Sequence, residues 1–462
     1  MKSLPVSFNE AIEQAVKKYW NRNSLSDYGE ITFQYKDAAR IIAKLHILFE
    51  ETGIKKGDKI ALCGSNSSRW GMAFIATITY GAVAVPILPD FHPEQIHQIT
   101  NHSEARLFFA ADKIWKKINA EEMPNLIGIL GTEDYQVLYA REAKLQETRN
   151  SLNKLYGEKY PDSFRPEHVS YHRDEREELC MINYTSGTTS NSKGVMIPYR
   201  AIHSNVQFGF EKLGHELKPG ENMLSMLPMA HMYGLAFEFL YEFVGGVQVH
   251  FLTKMPTPAV LLKAFAEVKP KIIVCVPLIL EKIVRKAILP KIKDPKISVL
   301  LKMPVIGNKI KQKICKGLQD ALGGNFYQAI IGGAAINAEI EALLKDINFN
   351  YCVGYGATEC APILAYEDWT KFKQGSCGKA APRMTLKIDS TDPQNIPGEI
   401  LAKGDNVMLG YYKNEEATAE TLVDGWYRTG DLGIIDAEGN VFIKGRSKNM
   451  LLGASGQNIY PE

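Results

Sequence analysis

Short apolar runs of five or six residues, each set between segments of helical period, constrain this chain more than any other feature. From Tyr35 to Phe49 the apolar residues Ala38, Ile41, Ile42, Leu45, Leu48 and Phe49 recur at helical spacing, and Gly53 stands where that helix would end. Lys59 to Cys63 then reads as a buried strand, Trp70 to Tyr80 as a helix, and Ala82 to Ile87 as a strand closed by Pro89. Strands without polar alternation are buried on both faces, so the pattern predicts an α/β fold with mixed, largely parallel sheets. Residues 112 to 178 are more polar and end in the charged run His172 to Glu178, after which Leu179 to Tyr184 reads as a strand. The alternation resumes with a helix near Ala201 to Leu213 and strands near Val247 to Leu252 and Ile272 to Val276. After Gly375 the expected strands are short and separated by turns: Thr385 to Asp389, Gly398 to Lys403, Gly433 to Asp436, and Val441 to Lys444. Two α/β subdomains, 1–178 and 179–350, are therefore expected, with strand-and-turn motifs and a smaller β-rich, barrel-like unit in 351–446 and a short tail at 447–462.

The strand Leu179 to Tyr184 runs into Thr185-Ser186-Gly187-Thr188-Thr189-Ser190-Asn191-Ser192-Lys193-Gly194, a stretch of hydroxyls and glycines with one lysine. Small side chains leave backbone N–H groups reachable, hydroxyls add donors, and Lys193 brings a compact positive charge, which together suit a polyphosphate. The P-loop of NTPases needs Gly-Lys-Ser/Thr, and here Ser192 precedes the lysine and Gly194 follows it, so that motif is excluded. A net charge of +2 predicts no general attraction to nucleic acid. The seven cysteines are scattered without a Cys-x-x-Cys pair, which fits a reducing cytoplasm. The N-terminus lacks the apolar core of a secretory signal, and the longest apolar run, Ile272 to Leu280, is broken by Pro277. Between Lys254 and Lys316 stand 15 Lys or Arg against 3 Asp or Glu, read either as a solvated face or as a weak peripheral contact with an anionic membrane.

Further motifs follow in order: Leu227-Pro228-Met229-Ala230-His231-Met232-Tyr233-Gly234, Gly332-Gly333-Ala334-Ala335, Gly354-Tyr355-Gly356-Ala357-Thr358-Glu359, Gly398 to Gly404, Asp424 to Gly433, and Lys444-Gly445-Arg446-Ser447-Lys448. With the loop, and with Gly57 to Ile60 and Gly81 to Pro86 before it, this ordered set resembles the adenylate-forming superfamily, most closely its bacterial long-chain acyl-CoA synthetases. The resemblance implies the large-domain fold of those enzymes. It also implies their reaction, in which a carboxylate attacks the α-phosphate of ATP, pyrophosphate leaves, and the acyl group passes to the thiol of coenzyme A.

By the same resemblance, Thr185, Ser186, Gly187, Thr188, Thr189 and Lys193 hold the β- and γ-phosphates. Glu359 ligates Mg²⁺, Thr358 donates to the α-phosphate, Tyr355 stacks on adenine while Gly332, Gly333, Ala334 and Ala335 give a wall with little side-chain bulk, and Gly356 and Ala357 belong to the same nucleotide site. Asp431 accepts the ribose hydroxyls, Arg446 reaches ribose or phosphate, His231 and Gly332 line the acyl or thiol route, and Lys448 matches a hinge. The family loop carries glycine and proline where this chain has Ser190 and Ser192. Gly453 to Glu462 resembles the opening of the family's small C-terminal domain, so the expectation is a large domain impaired without that partner. The aromatic run Leu235 to Phe243 is either the lining of a tunnel for a medium- or long-chain fatty acid or a core helix. Activation of an aryl or amino acid, and a noncatalytic module that only binds nucleotide or acyl-adenylate, are the competing readings. Monomer and homodimer are both compatible with the sequence.

Overall fold

The computed structural model describes residues 3–185, 192–254, 256–292, 294–301, 303–446, 451–452 and 458–459. The chain divides into two compact units, residues 1–255 with 408–415, and residues 256–407 with 416–462.

The first unit is built on an eight-stranded sheet. Its centre is parallel, with Leu179–Tyr184, Val83–Ile87, Lys59–Cys63, Ala105–Ala110 and Gly128–Gly131 side by side; the apolar runs predicted the first three, and the last two went unread. Antiparallel strands Val137–Ala140 and Gly194–Pro198 flank it, and Gly410–Tyr411 closes the far edge. A second sheet orders Asn222–Ser225, Gln248–Phe251, Asn23–Asp27 and Thr32–Gln34. The helix Ser68–Tyr80 is buried almost throughout, which its polar-poor sequence requires. Tyr35–Glu51 is amphipathic and ends at Thr52, and Gly53 follows at φ +73°, the left-handed geometry that relieves a helix terminus. Within the polar stretch 112–178 lies a 17-residue helix, Ala143–Lys159, which the sequence did not announce. It buries only Leu145, Thr148 and Leu152, too sparse a stripe to stand out.

The second unit holds a parallel sheet of Ile272–Cys275, Gln328–Ile331 and Tyr351–Val353, followed by antiparallel β-structure. Tyr355–Gly356, Ile363–Tyr366 and Lys379–Ala380 form one small sheet; Met384–Asp389, Gly398–Gly404, Trp426–Ile435, Leu422–Val423 and Val441–Arg446 form a larger one. The strand expected at Gly433 to Asp436 is only the tail of the ten-residue strand Trp426–Ile435. Glycine and aspartate at 430 and 431 favour a turn in isolation. That preference survives inside the strand: Asp431 pairs with Arg446, but opposite Gly398–Gly404 the register passes from Leu432 to Arg428, so residues 429–431 bulge out and Gly430 keeps φ +72°. The class is α/β with mixed sheets and a β-rich part, as the alternation implied.

Candidate nucleotide and acyl-transfer site

In the first unit the chemistry gathers at the C-terminal edge of the parallel strands, where open α/β sheets bind ligands. Thr185 directly follows the strand Leu179–Tyr184, and its N–H donates to the carbonyl of Lys193 at 3.2 Å, so the two ends of the hydroxyl-rich loop are fastened together. Rings beneath that base add to the fastening. His102 Nδ1 lies 2.7 Å from the Tyr184 hydroxyl, and the Tyr412 N–H donates to Gly194 O at 2.7 Å while its ring meets His102 edge-on. The Lys193 ammonium rests 4.6 Å from the centroid of the Tyr411 ring, a hold of about 0.5–1 kcal/mol. A polyphosphate offers that ammonium a full opposite charge instead. Ser186, Gly187, Thr188, Thr189 and Ser190 lie outside the described residues.

His231 belongs to the same edge. The side chain of Asn183, on the strand that leads to Thr185, donates to Ala230 O at 2.9 Å, and His231 itself opens the short helix Met232–Leu235. Its ring reaches the surface, yet the surrounding protein desolvates it enough to pull its pKa below the ordinary value, against the charge of Asp90. A neutral imidazole is the form that accepts a proton or a hydrogen bond. The aromatic run that follows is core. Phe239 and Phe243 are fully buried, Phe239 packs on Gly71, Phe74 and Phe251, and Phe243 packs on Tyr35. The tunnel-lining reading of Leu235 to Phe243 is thereby set aside, because these rings spend their surface on the neighbouring helix and sheet.

In the second unit three motifs leave one edge together. Cys275, Ile331 and Val353 are the last paired residues of the parallel sheet, and Val276, Gly332 and Gly354 follow them. The Gly332 N–H donates to Cys275 O at 3.0 Å; Gly333 has φ +84°, and Gly333, Ala334 and Ala335 stand exposed. Small residues here leave backbone open to a flat ligand. A Cβ on Gly356 would strike the backbone carbonyl of Pro362, whose oxygen also accepts the Ala357 N–H, so only glycine lets the chain fold back this closely. That fold-back presents Thr358 and Glu359 on a single turn, Thr358–Cys360, both half-buried.

Tyr355, 7% exposed, donates its hydroxyl to Asp431 Oδ2 at 2.6 Å, and Arg446 Nε lies 3.2 Å from Asp431 Oδ1. Burial first, then the Asp431 carboxylate, pushes the Tyr355 phenol far up, so it remains a donor. Asp431 is 9% exposed and Arg446, directly across the strand pair, has a side chain 76% exposed. Each carboxylate oxygen carries two lone pairs, so Tyr355 and Arg446 leave Asp431 with acceptor capacity for a diol. Beneath it, Asp431 N donates to Thr429 Oγ1 at 3.0 Å, and that hydroxyl donates to Ile400 O at 2.8 Å. Glu399 accepts from the Gly430 N–H at 3.0 Å and from Arg428. Glu399 and Thr429 escaped sequence reasoning although both sit inside motifs that had been noticed; the only signal was their position within those motifs.

The family model for AMP-binding enzymes matches residues 12–412. The chain belongs to that family. Among curated relatives, the long-chain-fatty-acid–CoA ligase FadD15 of Mycobacterium bovis is 27% identical over 436 residues, covering 88% of this chain and 68% of its own length. The long-chain-fatty-acid–CoA ligase of Escherichia coli O6:H1 is 26% identical and covers 98% and 79%. Of solved structures, the anthranilate CoA ligase AuaEII with anthranoyl-AMP aligns at a TM-score of 0.78 and 19% identity, over 99% of this chain and 80% of that one. The N-terminal domain of FACL13 from Mycobacterium tuberculosis aligns at 0.74 and 20%, over 96% and 100%. With relatives of that kind, the chain is an acid–thiol ligase of this family, for which a carboxylic acid, ATP and CoA are the expected substrates. Lys448, matched to the family's hinge, lies outside the described residues.

Proposed function

We propose that this AMP-binding enzyme activates a medium- or long-chain fatty acid. The carboxylate oxygen bonds to the α-phosphorus of ATP as the bond to pyrophosphate breaks; the CoA thiol then attacks the acyl carbonyl and AMP leaves. The observation that carries the nucleotide half is the Asp431 carboxylate, held by Tyr355 and Arg446 with capacity left for two ribose hydroxyls. In this reading Tyr355 and Gly333 to Ala335 bound the adenine, with Gly356 and Ala357 letting the backbone approach. Thr358 donates to the α-phosphate, Thr185 to Thr189 with Lys193 hold the departing pyrophosphate, and His231 and Gly332 serve the acyl or thiol route. Among the described residues no three metal-type side chains cluster. Magnesium needs only one or two carboxylates beside phosphate oxygens, so the single hard donor Glu359 fits it. A bound Mg²⁺ there supplies neutralisation of phosphate charge.

The fatty-acid identity rests on the curated relatives, whose names specify long-chain acids. Pyrophosphate release with ATP, magnesium, CoA and a panel of carboxylic acids tests it. C12 to C18 acids are expected to release pyrophosphate fastest; release with aryl or short acids alone would replace the fatty acid by another carboxylate. ATP binding with no release for any acid would favour the noncatalytic module.

Weak peripheral contact with an anionic bilayer is the second part of the reading. Leu278, Val299, Leu300, Met303, Val305 and Ile306 are exposed within the segment 254–316, where 15 Lys or Arg face 3 acidic residues. Apolar side chains set among lysines match an interface of acyl chains and anionic headgroups, where each cation adds about 1 kcal/mol. Among the described residues no helix is long and apolar enough to cross a membrane, so this contact would be superficial. Pelleting with phosphatidylserine-containing vesicles at low salt, reduced by Val305→Asp and by high salt, is the expected result. Failure to pellet at low salt would return the lysines to a solvated face.

A further inference from the structure

Glu238 lies at the centre of a buried arrangement that the reaction as described leaves unused. It is 0% exposed, in a π-helical turn at Ala236–Leu240 inside the first unit. Such turns insert an extra residue into a helix and re-aim a side chain. Here the side chain points back along the chain: Glu238 Oε2 accepts the N–H groups of Met226 at 2.9 Å and Leu227 at 2.8 Å. Those two residues open the loop that ends in His231. The loop is otherwise fastened by Asn66, which donates to Leu227 O at 2.6 Å and accepts from Met229 N at 2.8 Å, and by Asn183 on Ala230 O. The His231 N–H closes a turn onto Pro228 O at 3.0 Å, and His231 O accepts from Leu235 N at 2.9 Å.

A carboxyl in such a place is costly. Burial, and Glu242 one turn further on, outweigh the Leu227 and Met226 N–H groups and the Ser225 hydroxyl and push Glu238 well above the usual carboxylate range, which favours the neutral acid. An apolar residue would fill the same space without that cost but would strand two buried N–H groups at the base of the loop. The helix that follows His231 thus reaches back to fix the strand end that precedes it, closing the segment 226–238 into a ring.

We infer that Glu238 is a positioning residue for the acyl or thiol step, acting through the backbone that aims His231. The inference rests on the assignment of His231 to that route. Disturbing this anchor moves a ring at the reacting edge by a fraction of an ångström or more, and misplacements of about 1 Å cost on the order of 100-fold in rate. ATP, assigned to other residues, should be little affected.

The test is a set of four variants assayed separately for ATP, acid and CoA. Glu238→Met, of similar length, is expected to raise the KM for the acid or lower the rate of thiol transfer by about tenfold or more, with the KM for ATP within about twofold. Glu238→Gln keeps an acceptor of the same size and is expected to restore wild-type kinetics. In His231→Ala/Glu238→Met the losses should not add, since both act on one group. Glu238→Met indistinguishable from wild type, equal losses toward ATP and acid, or additive losses in the double variant would each overturn the inference. If His231→Ala alone is silent, the assignment of His231 fails instead, and the inference falls with it. Should Glu238→Met not fold, Glu238→Asp withdraws the oxygen by one methylene and is judged by the same split between acid and ATP.

Discussion

Asp431→Asn is expected to lower kcat/KM for ATP by about two to four orders of magnitude while leaving the melting temperature nearly unchanged. Two charge-assisted hydrogen bonds to a ribose diol are worth about 1.5–3 kcal/mol each, which sets that range. Asparagine has the same shape, but one of its two terminal atoms is a donor. Facing the Arg446 Nε, 3.2 Å from Oδ1, it meets a second donor; facing the Tyr355 hydroxyl, 2.6 Å from Oδ2, it can donate to the phenol oxygen, which reverses that bond. The substitution therefore removes the charge and one of the two acceptor atoms offered to the diol while leaving the strand pair in place. Tyr355→Phe removes one neutral donor and should cost far less, about tenfold. The measurement is initial-rate kinetics at varied ATP with thermal unfolding alongside. A fall in melting temperature large enough to account for the lost activity would assign Asp431 to the strand pair Trp426–Ile435 and Val441–Arg446 rather than to the nucleotide.

For Glu359→Gln the expected loss falls on kcat, by about 100- to 1,000-fold, with a rise in the magnesium concentration needed for half-maximal rate. An anionic nucleophile approaching an anionic phosphate needs charge neutralised where it develops, and removing one such contribution typically costs that much. Glu359 is placed for it by local geometry. Gly356 admits the Pro362 carbonyl, the chain reverses, and the one-turn helix Thr358–Cys360 ends at Ala361 in the left-handed region, φ +58°. Gln preserves the fold-back and the side-chain length but is a poor ligand for a hard divalent cation. Titrating magnesium at saturating ATP and acid gives the answer: an unchanged magnesium dependence would remove Glu359 from the metal.

Much of the architecture was legible because it depends on residues near one another. The largely apolar runs at Lys59–Cys63 and Leu179–Tyr184 carry their own statement that both faces are buried, and Gly53 marks a helix end through a property of glycine alone. The order of motifs sufficed to place the chain among the AMP-binding enzymes. Where local preference met a tertiary demand, both left a mark: the turn-prone Thr429-Gly430-Asp431 sits within a long strand, yet bulges out of register opposite Gly398–Gly404 with Gly430 at φ +72°. Helix Ala143–Lys159 stayed hidden because three buried side chains make no clear period.

What the sequence determined alone was residue type and order: a hydroxyl-rich loop with one lysine, a Thr-Glu pair, a histidine and an aspartate, each inside a motif and all in a recognisable sequence. Which groups hold one another was decided only by the tertiary structure. Tyr355 and Asp431 are 76 residues apart, and Asn66 reaches the His231 loop across more than 160. The same holds for Leu235 to Phe243, whose aromatic spacing suits a tunnel or a core equally, and for Glu238, whose hold on the Met226 and Leu227 N–H groups no local pattern announces. Periodicity specifies that a face is apolar but not what covers it, and the topology of the sheets supplies that second half.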